Sequence, residues 1–235
     1  MSLDIPDHQA FTETGDQPRT LIETAYRQLR RDIIDGVHPA GQKLRVEHLK
    51  FQYQVSAGTL REALALLVAD SLVVSQEQRG FQVAPMSLVD LEDLIRVRVL
   101  LECEAVEESI HLGRDNWEAG LVSAFHKLSL AEERLHTDAA GTFDEWEERN
   151  RQFHEALVGA CRSAWLRKLR AQLYQQAERY RRLSAVKGPP PVEVHEEHRN
   201  IFNAVMARDI AKVKVLLSAH IRRALTVIRM NGFLK

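Results

Sequence analysis

The sequence predicts a mainly α protein in two parts: an N-terminal winged helix-turn-helix and a C-terminal antiparallel, all-helical bundle. Three observations predict it. Apolar residues recur at Leu60, Ala63, Leu64, Leu67 and Val68, the i, i+3, i+4, i+7, i+8 stripe of a helix with one buried face. A short β-rich run follows at Leu72–Ser75, then a polar turn ending in Gly80, then an alternating run at Phe81–Ala84. From Leu88 onward apolar residues repeat at helical spacing, with no convincing strand.

The elements follow in order. Residues 1–18 read as a flexible arm; the first 16 carry four acids and no Lys or Arg. Residues 19–85 read as the winged module and 88–235 as the bundle. Thr20–Asp35 is the first helix, with Leu21, Ala25, Leu29 and Ile33 on one face; Gly36, Pro39 and Gly41 end it. Leu44–Tyr53 is a second short periodic segment, joined by Gln54-Val55-Ser56 to the stripe helix. Ser56 is placed to cap that helix, and Thr59 with Glu62 is spaced as a capping box. A helix, a tight turn and a capped helix with a small, polar first turn form a helix-turn-helix. Its second helix must enter the major groove, so Ser56, Gly58, Thr59 and Arg61 are candidate DNA contacts. Arg79 and Gly80 at the wing tip join them, a cation beside a residue that permits close backbone approach. An ordinary packed helix pair gives the same periodicity, and only the wing separates the two readings.

The charge is restrained. Net charge is −1 over 235 residues, and residues 17–85 hold nine Lys/Arg against seven Asp/Glu. DNA binding would rest on a few aimed cations and on a dimer doubling them, not on a general positive field. Cys103 and Cys161 lack metal-type spacing and read as reduced core thiols. No apolar run reaches membrane-spanning length and no signal-peptide form opens the chain, so a cytoplasmic location is expected.

Helices of the second part are predicted near 88–112, 115–137, 142–160, 163–185, 191–207 and 209–230, broken at Gly113, Asp138–Gly141, Gly188–Pro191 and Arg208-Asp209. Polar residues on their inward stripes are the candidate chemistry. Asn150 and His154 sit one turn apart among Phe143, Trp146, Phe153 and Leu157. His198 sits with Val194, Ile201 and Val205, and His220 with Val213, Leu217, Ala224 and Val227. Neutral imidazole is a common ligand for zinc, nickel, copper or iron, and three helices each place one on an apolar face. Taken singly, each reads first as a hydrogen-bonded core histidine; only their coincidence on three separate stripes brings the metal reading level with it. His195 falls off the stripe and reads as surface. Arg98 points inward with Leu94, Leu101 and Ala105; it either faces a bound carboxylate or pairs with Glu102 at i+4.

The segments LRRDIIDGVHPAGQKL (Leu29–Leu44), VSAGTLREAL (Val55–Leu64), DSLVV and RGFQVAPMS (Asp70–Val74, Arg79–Ser87) resemble the GntR family of bacterial transcription regulators. One departure stands out. The family usually has Arg directly after the Ser matched by Ser56, and this chain has Ala57. Gly58, Thr59, Arg61 and Arg45 then carry more of the recognition, or the operator differs. Leu88–Gly232 resembles the FadR-type, FCD-like ligand-binding domain of that family. The resemblance implies a divalent metal, zinc or nickel first, held by Asn150, His154, His198 and His220, with Asn150 where the family has Asp. It also implies an Arg98 that faces the effector, beside Asn150. Asp144–Cys161 and Ala177–Arg181 are most similar to the carbon-starvation, glutarate-responsive repressor branch. The implied partners are double-stranded DNA with a palindromic operator, a second copy of the chain, and a small carboxylate effector, a C4–C6 dicarboxylate such as glutarate.

Two other classes stay open: a regulator that senses the metal itself, and a metalloenzyme fused to a DNA-binding module. Against the enzyme, the histidines have no Glu or Asp beside them on the same inward faces to act as a general base.

Overall fold

The chain folds around two separate apolar cores, one formed by residues 25–83 and one by residues 91–228. The computed structural model describes residues 20–76, 80–188 and 193–234. The expected arm at 1–18 and the wing-tip contact Arg79 lie outside them.

In the first core, α1 (Leu21–Ile34) starts at Thr20, whose hydroxyl accepts from the amide of Glu23. Its Ala25, Leu29 and Ile33, at i, i+4, i+8, are buried against α3. Next come β1 (Lys43–Leu44), α2 (Val46–Gln52), α3 (Ala57–Ala69), β2 (Val73–Gln76) and β3 (Gly80–Val83). The sheet order is β1-β3-β2, antiparallel throughout, with Lys43 opposite Gln82 and Val73 opposite Val83. Leu44 was expected in the second helix. It instead pairs with Phe81, because the returning wing offers it a ladder partner far away in sequence. The expected Thr59–Glu62 capping box does not form. Ser56 alone caps α3, and Thr59 gives it both an amide, at 3.1 Å, and a hydroxyl contact at 2.9 Å. Gln54 turns the chain between α2 and α3 at φ +54°, a left-handed conformation that favours glycine.

The second core is built from α4 (Leu88–Leu112), α5 (Asp115–Thr137), α6 (Ala139–Leu157), α7 (Ala164–Gln176), α8 (Glu178–Lys187), α9 (Val194–Met206) and α10 (Ile210–Met230). Ser87 caps α4, its hydroxyl accepting from the Asp90 amide. Two expected boundaries move. The break before α6 shrinks to Asp138, whose carboxylate caps the new helix by accepting from Gly141. The single helix expected over 163–185 is interrupted at Ala177 with no Gly or Pro there. The cause is tertiary. A continuous helix would pair the Tyr174 carbonyl with the amide of Glu178, but the Arg181 guanidinium donates to it at 2.9 Å.

Helix α8 also joins the two modules. Arg179 donates twice to the carbonyl of Ala84, both at 3.0 Å. Arg182 pairs with Asp35 at 2.9 Å, and Glu178 pairs with Arg30. The Tyr180 hydroxyl donates to Asp90 at 2.6 Å, just beyond the linker. The Gln176 amide, one turn earlier, donates to the carbonyl of Asp70 at the end of α3.

Candidate metal centre, ligand cavity and DNA-facing surface

Helices α6, α9 and α10 bring His154, His198 and His220 to one point. Their ligand atoms all lie within 4.8 Å of one another. The Nε2 atoms of His154 and His220 are 3.3 Å apart, and those of His198 and His220 are 3.2 Å apart. The outward nitrogens explain the convergence. His198 Nδ1 donates to Glu132 at 2.5 Å and His220 Nδ1 donates to Glu197 at 2.9 Å. With those protons on Nδ1, the facing Nε2 atoms are bare lone pairs in near contact. Lone pairs at that range repel unless a cation lies between them. Two nitrogens about 2.1 Å from a tetrahedral zinc stand roughly 3.4 Å apart, close to the observed separations. Burial pushes His154 down to about 3 and His220 down to about 4, so both are neutral near pH 7 and ready to donate.

Asn150 lies one turn before His154 and is buried, with its Nδ2 donating to the Tyr174 hydroxyl at 2.8 Å. That bond leaves its carbonyl oxygen with no hydrogen-bond partner. An orphaned oxygen on a residue that lines the same cavity as His154 and His220 fits a divalent cation. His154 Nδ1 is likewise unpartnered; Glu102 stands 3.9 Å away, too far for a hydrogen bond.

A cavity of about 70 Å³ adjoins these residues. It has room for roughly five to seven water-sized groups, the scale of a small organic acid. Arg98, Asn150, His154, His220, Tyr174 and Arg181 are among the residues that line it. Among the described residues six have buried side-chain polar atoms without a partner, and four of those residues (Arg98, Trp146, Asn150, His154) line this cavity. Concentration of unmet hydrogen bonds around one hollow points to a polar occupant.

Both readings of Arg98 have geometric support. It is buried and donates to Glu102 at 2.9 Å, and it also faces the cavity. The decisive detail is that Glu102 is shared. Arg170, equally buried, approaches the same carboxylate at 3.4 Å. Burial alone would raise the Glu102 carboxyl, but the Arg170 and Arg98 guanidiniums outweigh it and hold it well below the usual range. Two buried guanidinium groups around one carboxylate leave one positive charge in excess, in a place where unmatched charge is costly.

Carboxylates that the inward stripes did not reveal stand beside the histidines: Glu102 beside His154, Glu132 beside His198 and His195, and Glu197 beside His220. Helical spacing missed two of them because they approach from other helices, Glu132 from α5 to His198 and Glu197 from α9 to His220. Each is already engaged, Glu132 by two imidazoles, Glu197 by His220 and Arg223, and Glu102 by two guanidiniums. His195, expected at the surface, is half-exposed, but its Nδ1 donates to Glu132 at 2.9 Å and its ring stacks on Phe125. One signal for Glu132 was available, since it falls four residues after the buried Leu128.

On the other module, Ser56, Gly58 and Arg61 lie exposed, and Thr59 partly so, along the first turns of α3. Arg45 precedes α2, and Gly80 starts β3 at φ +85° with open space around it. Arg45, Arg61 and Gly80 line one groove together with Lys43 and His48. The sequence pattern singled out neither of the last two.

Two family matches cover this architecture. Residues 21–83 match the bacterial regulatory proteins of the gntR family, and residues 93–223 match the FCD domain. The chain belongs to the GntR family. It is similar to the HTH-type transcriptional regulator BphR of Paraburkholderia xenovorans, at 46% identity over all of this chain and 97% of the relative. It is 36% identical to the HTH-type transcriptional repressor GlaR of Escherichia coli, over 87% of this chain and 94% of that one. The structure of E. coli McbR/YncC superimposes with a TM-score of 0.71 at 21% identity, covering 91% of this chain and 99% of that one, which supports the fold. This GntR regulator is therefore a DNA-binding transcription regulator, and neither its family nor these relatives are enzymes. No helix among the described residues is long and apolar enough to cross a membrane.

Proposed function

We propose that this GntR regulator holds a divalent metal, zinc or nickel, on His154, His198 and His220 with Asn150, and releases or grips DNA according to a small carboxylic acid bound beside it. The convergence of three imidazole nitrogens carries the metal half of this reading. The metal would supply a Lewis-acid contact for one effector oxygen; Arg98 would orient the acid. The charge count carries the other half. The four protein ligands are uncharged residue types; Glu132 and Glu197 stand behind two of them, Glu197 already paired with Arg223, and Arg98 with Arg170 outnumbers Glu102, so a bound dication leaves the cavity net positive. A cavity so charged favours an anion, and a C4–C6 dicarboxylate such as glutarate matches its sign.

The regulator acts as a homodimer on a palindromic operator in the cytoplasm, each DNA module docking α3 through Ser56, Gly58, Thr59 and Arg61, with Arg45, Arg79 and Gly80 flanking. Ligand binding that differs between two arrangements of the dimer changes operator affinity by the coupling energy, typically ~1–3 kcal/mol. The repressor sense follows GlaR. A thermal-shift screen of small carboxylic acids, with and without chelator, tests the whole reading. Stabilisation by acids that disappears with chelator supports it. Response to zinc or nickel with no acid giving a shift makes the metal itself the signal and refutes the acid.

A further inference from the structure

The cavity contains a second cation held in reserve. Arg181 of α8 lines it together with Asn150 and His154. Its guanidinium lies over the Tyr174 ring, 3.9 Å from the centroid, and Arg98 lies 5.0 Å from the same centroid. One aromatic ring thus carries both guanidiniums, and the Tyr174 hydroxyl is the group that holds Asn150. Arg181 is occupied by Glu147, which it meets through both Nε, at 3.0 Å, and Nη2. Glu147 is a poor permanent partner. It is buried, with Glu178 nearby, and burial leaves its carboxyl above the usual range even with Arg181 beside it. Arg181 thus presents its fork at the cavity with a buried, crowded acid as its present partner, and a ligand carboxylate entering the cavity competes for the same fork.

The rest of α8 gives this pair a consequence. Arg181, Ser184 and Ala185 face the cavity, while Glu178, Arg179 and Arg182 hold Arg30, the Ala84 carbonyl and Asp35 of the DNA module. Arg181 also occupies the Tyr174 carbonyl, the contact that separates α8 from α7. We propose that Arg181 leaves Glu147 to bind the far acidic group of a dicarboxylate effector, selecting diacids over monoacids, and that α8 carries this displacement to the linker and the winged module. The assignment rests on the acid-binding reading above, and names the residue that recognises the second carboxylate.

Calorimetry on the full-length, metal-loaded protein tests it with two probes of equal chain length, glutarate and valerate. Wild type binds glutarate about tenfold or more tighter than valerate, the worth of one charge-assisted pair of hydrogen bonds. The charge-neutral double variant Arg181→Gln/Glu147→Gln binds glutarate no better than valerate, and valerate as wild type does. Hydrogen exchange reads the second part: glutarate alters protection in residues 84–90 and 176–187, valerate does not, and the double variant responds to neither. Retention of the glutarate preference by the double variant overturns the proposal, as does unchanged exchange in those segments. Wild type that binds both acids equally overturns it while leaving the acid-binding reading intact; wild type that binds neither overturns both. Circular dichroism and metal content check that the double variant folds. If it does not, Glu147→Gln alone decides, because it frees Arg181 without removing it. It tightens glutarate several-fold and leaves valerate unchanged; unchanged or weaker glutarate binding overturns the proposal.

Discussion

Glu132 has no direct line to the proposed metal, yet its replacement by Gln should weaken the metal measurably. Its carboxylate is buried and accepts from His198 Nδ1 at 2.5 Å and from His195 Nδ1 at 2.9 Å. Burial pushes this carboxyl up, but the two imidazoles outweigh burial and hold it below the usual range, so it is ionised at neutral pH. A charged acceptor on Nδ1 fixes the proton there and makes the far nitrogen a stronger donor to a cation. Loss of such an outer carboxylate typically costs 10- to 100-fold in metal affinity, or about 1.4–2.7 kcal/mol. Gln retains one acceptor oxygen for His198, so about tenfold is expected for Glu132→Gln and more for Glu132→Leu. Competition against a chromophoric chelator measures it directly. Glu133→Gln, at an exposed neighbour, is the control and should change nothing. Equal affinity in wild type and Glu132→Gln would refute the argument that the carboxylate sets the histidine's proton.

Arg61→Ala should weaken binding to DNA selected from a random pool, by about 1–3 kcal/mol if it reads a base, without lowering the unfolding midpoint; unchanged fluorescence anisotropy would remove it from the interface. Asn150→Asp should tighten the metal by about tenfold, since it adds a charge at an oxygen now unpartnered; plasma mass spectrometry after dialysis against chelator would show greater retention, and equal loss would count against Asn150 as a ligand. Chelator-treated protein should lose stability as pH falls. His154 and His220 titrate near 6.5 when unfolded but at about 3 and about 4 when folded, so between these values the unfolded state binds more protons. Their contribution is complete above about pH 6.5 and falls by roughly 1–3 kcal/mol per pH unit below it; a urea midpoint that stays flat from pH 7 to pH 5 would contradict this. Gln54→Gly should raise stability by up to about 1 kcal/mol by relieving the left-handed backbone, read from the same urea curves.

Much of the fold was legible because its signals are local. Ser87 and Gly113 bracket α4 as their types predict, and the stripe from Leu60 to Leu67 is buried as its spacing requires. The two-residue β1 was not legible, since only its pairing with Phe81 and Gln82 makes it a strand. Nor was the break at Ala177, which depends on Arg181 folding back on Tyr174. In the site, periodicity placed His154, His198 and His220 inward, but it could not say that they meet. The carboxylates behind them and the sharing of Glu102 between Arg98 and Arg170 depend on neighbouring helices, which no single-helix pattern reports. Tyr174 was missed for the same reason: its role comes from what surrounds it.

The opening turn of α3 has room to spare. A methyl group added at Gly58 would meet only the Ser56 hydroxyl, at an ordinary 3.6 Å. The protein's own packing therefore does not require glycine there, and neighbouring Ala57 already shows a large family side chain replaced by a small one. A small side chain at Gly58 is nearly free for folding, unlike a change at the capping Ser56. In the proposed docking geometry, operator preference can therefore be retuned at Gly58 without a folding cost, whereas the fully buried His154 and His198 leave no such freedom.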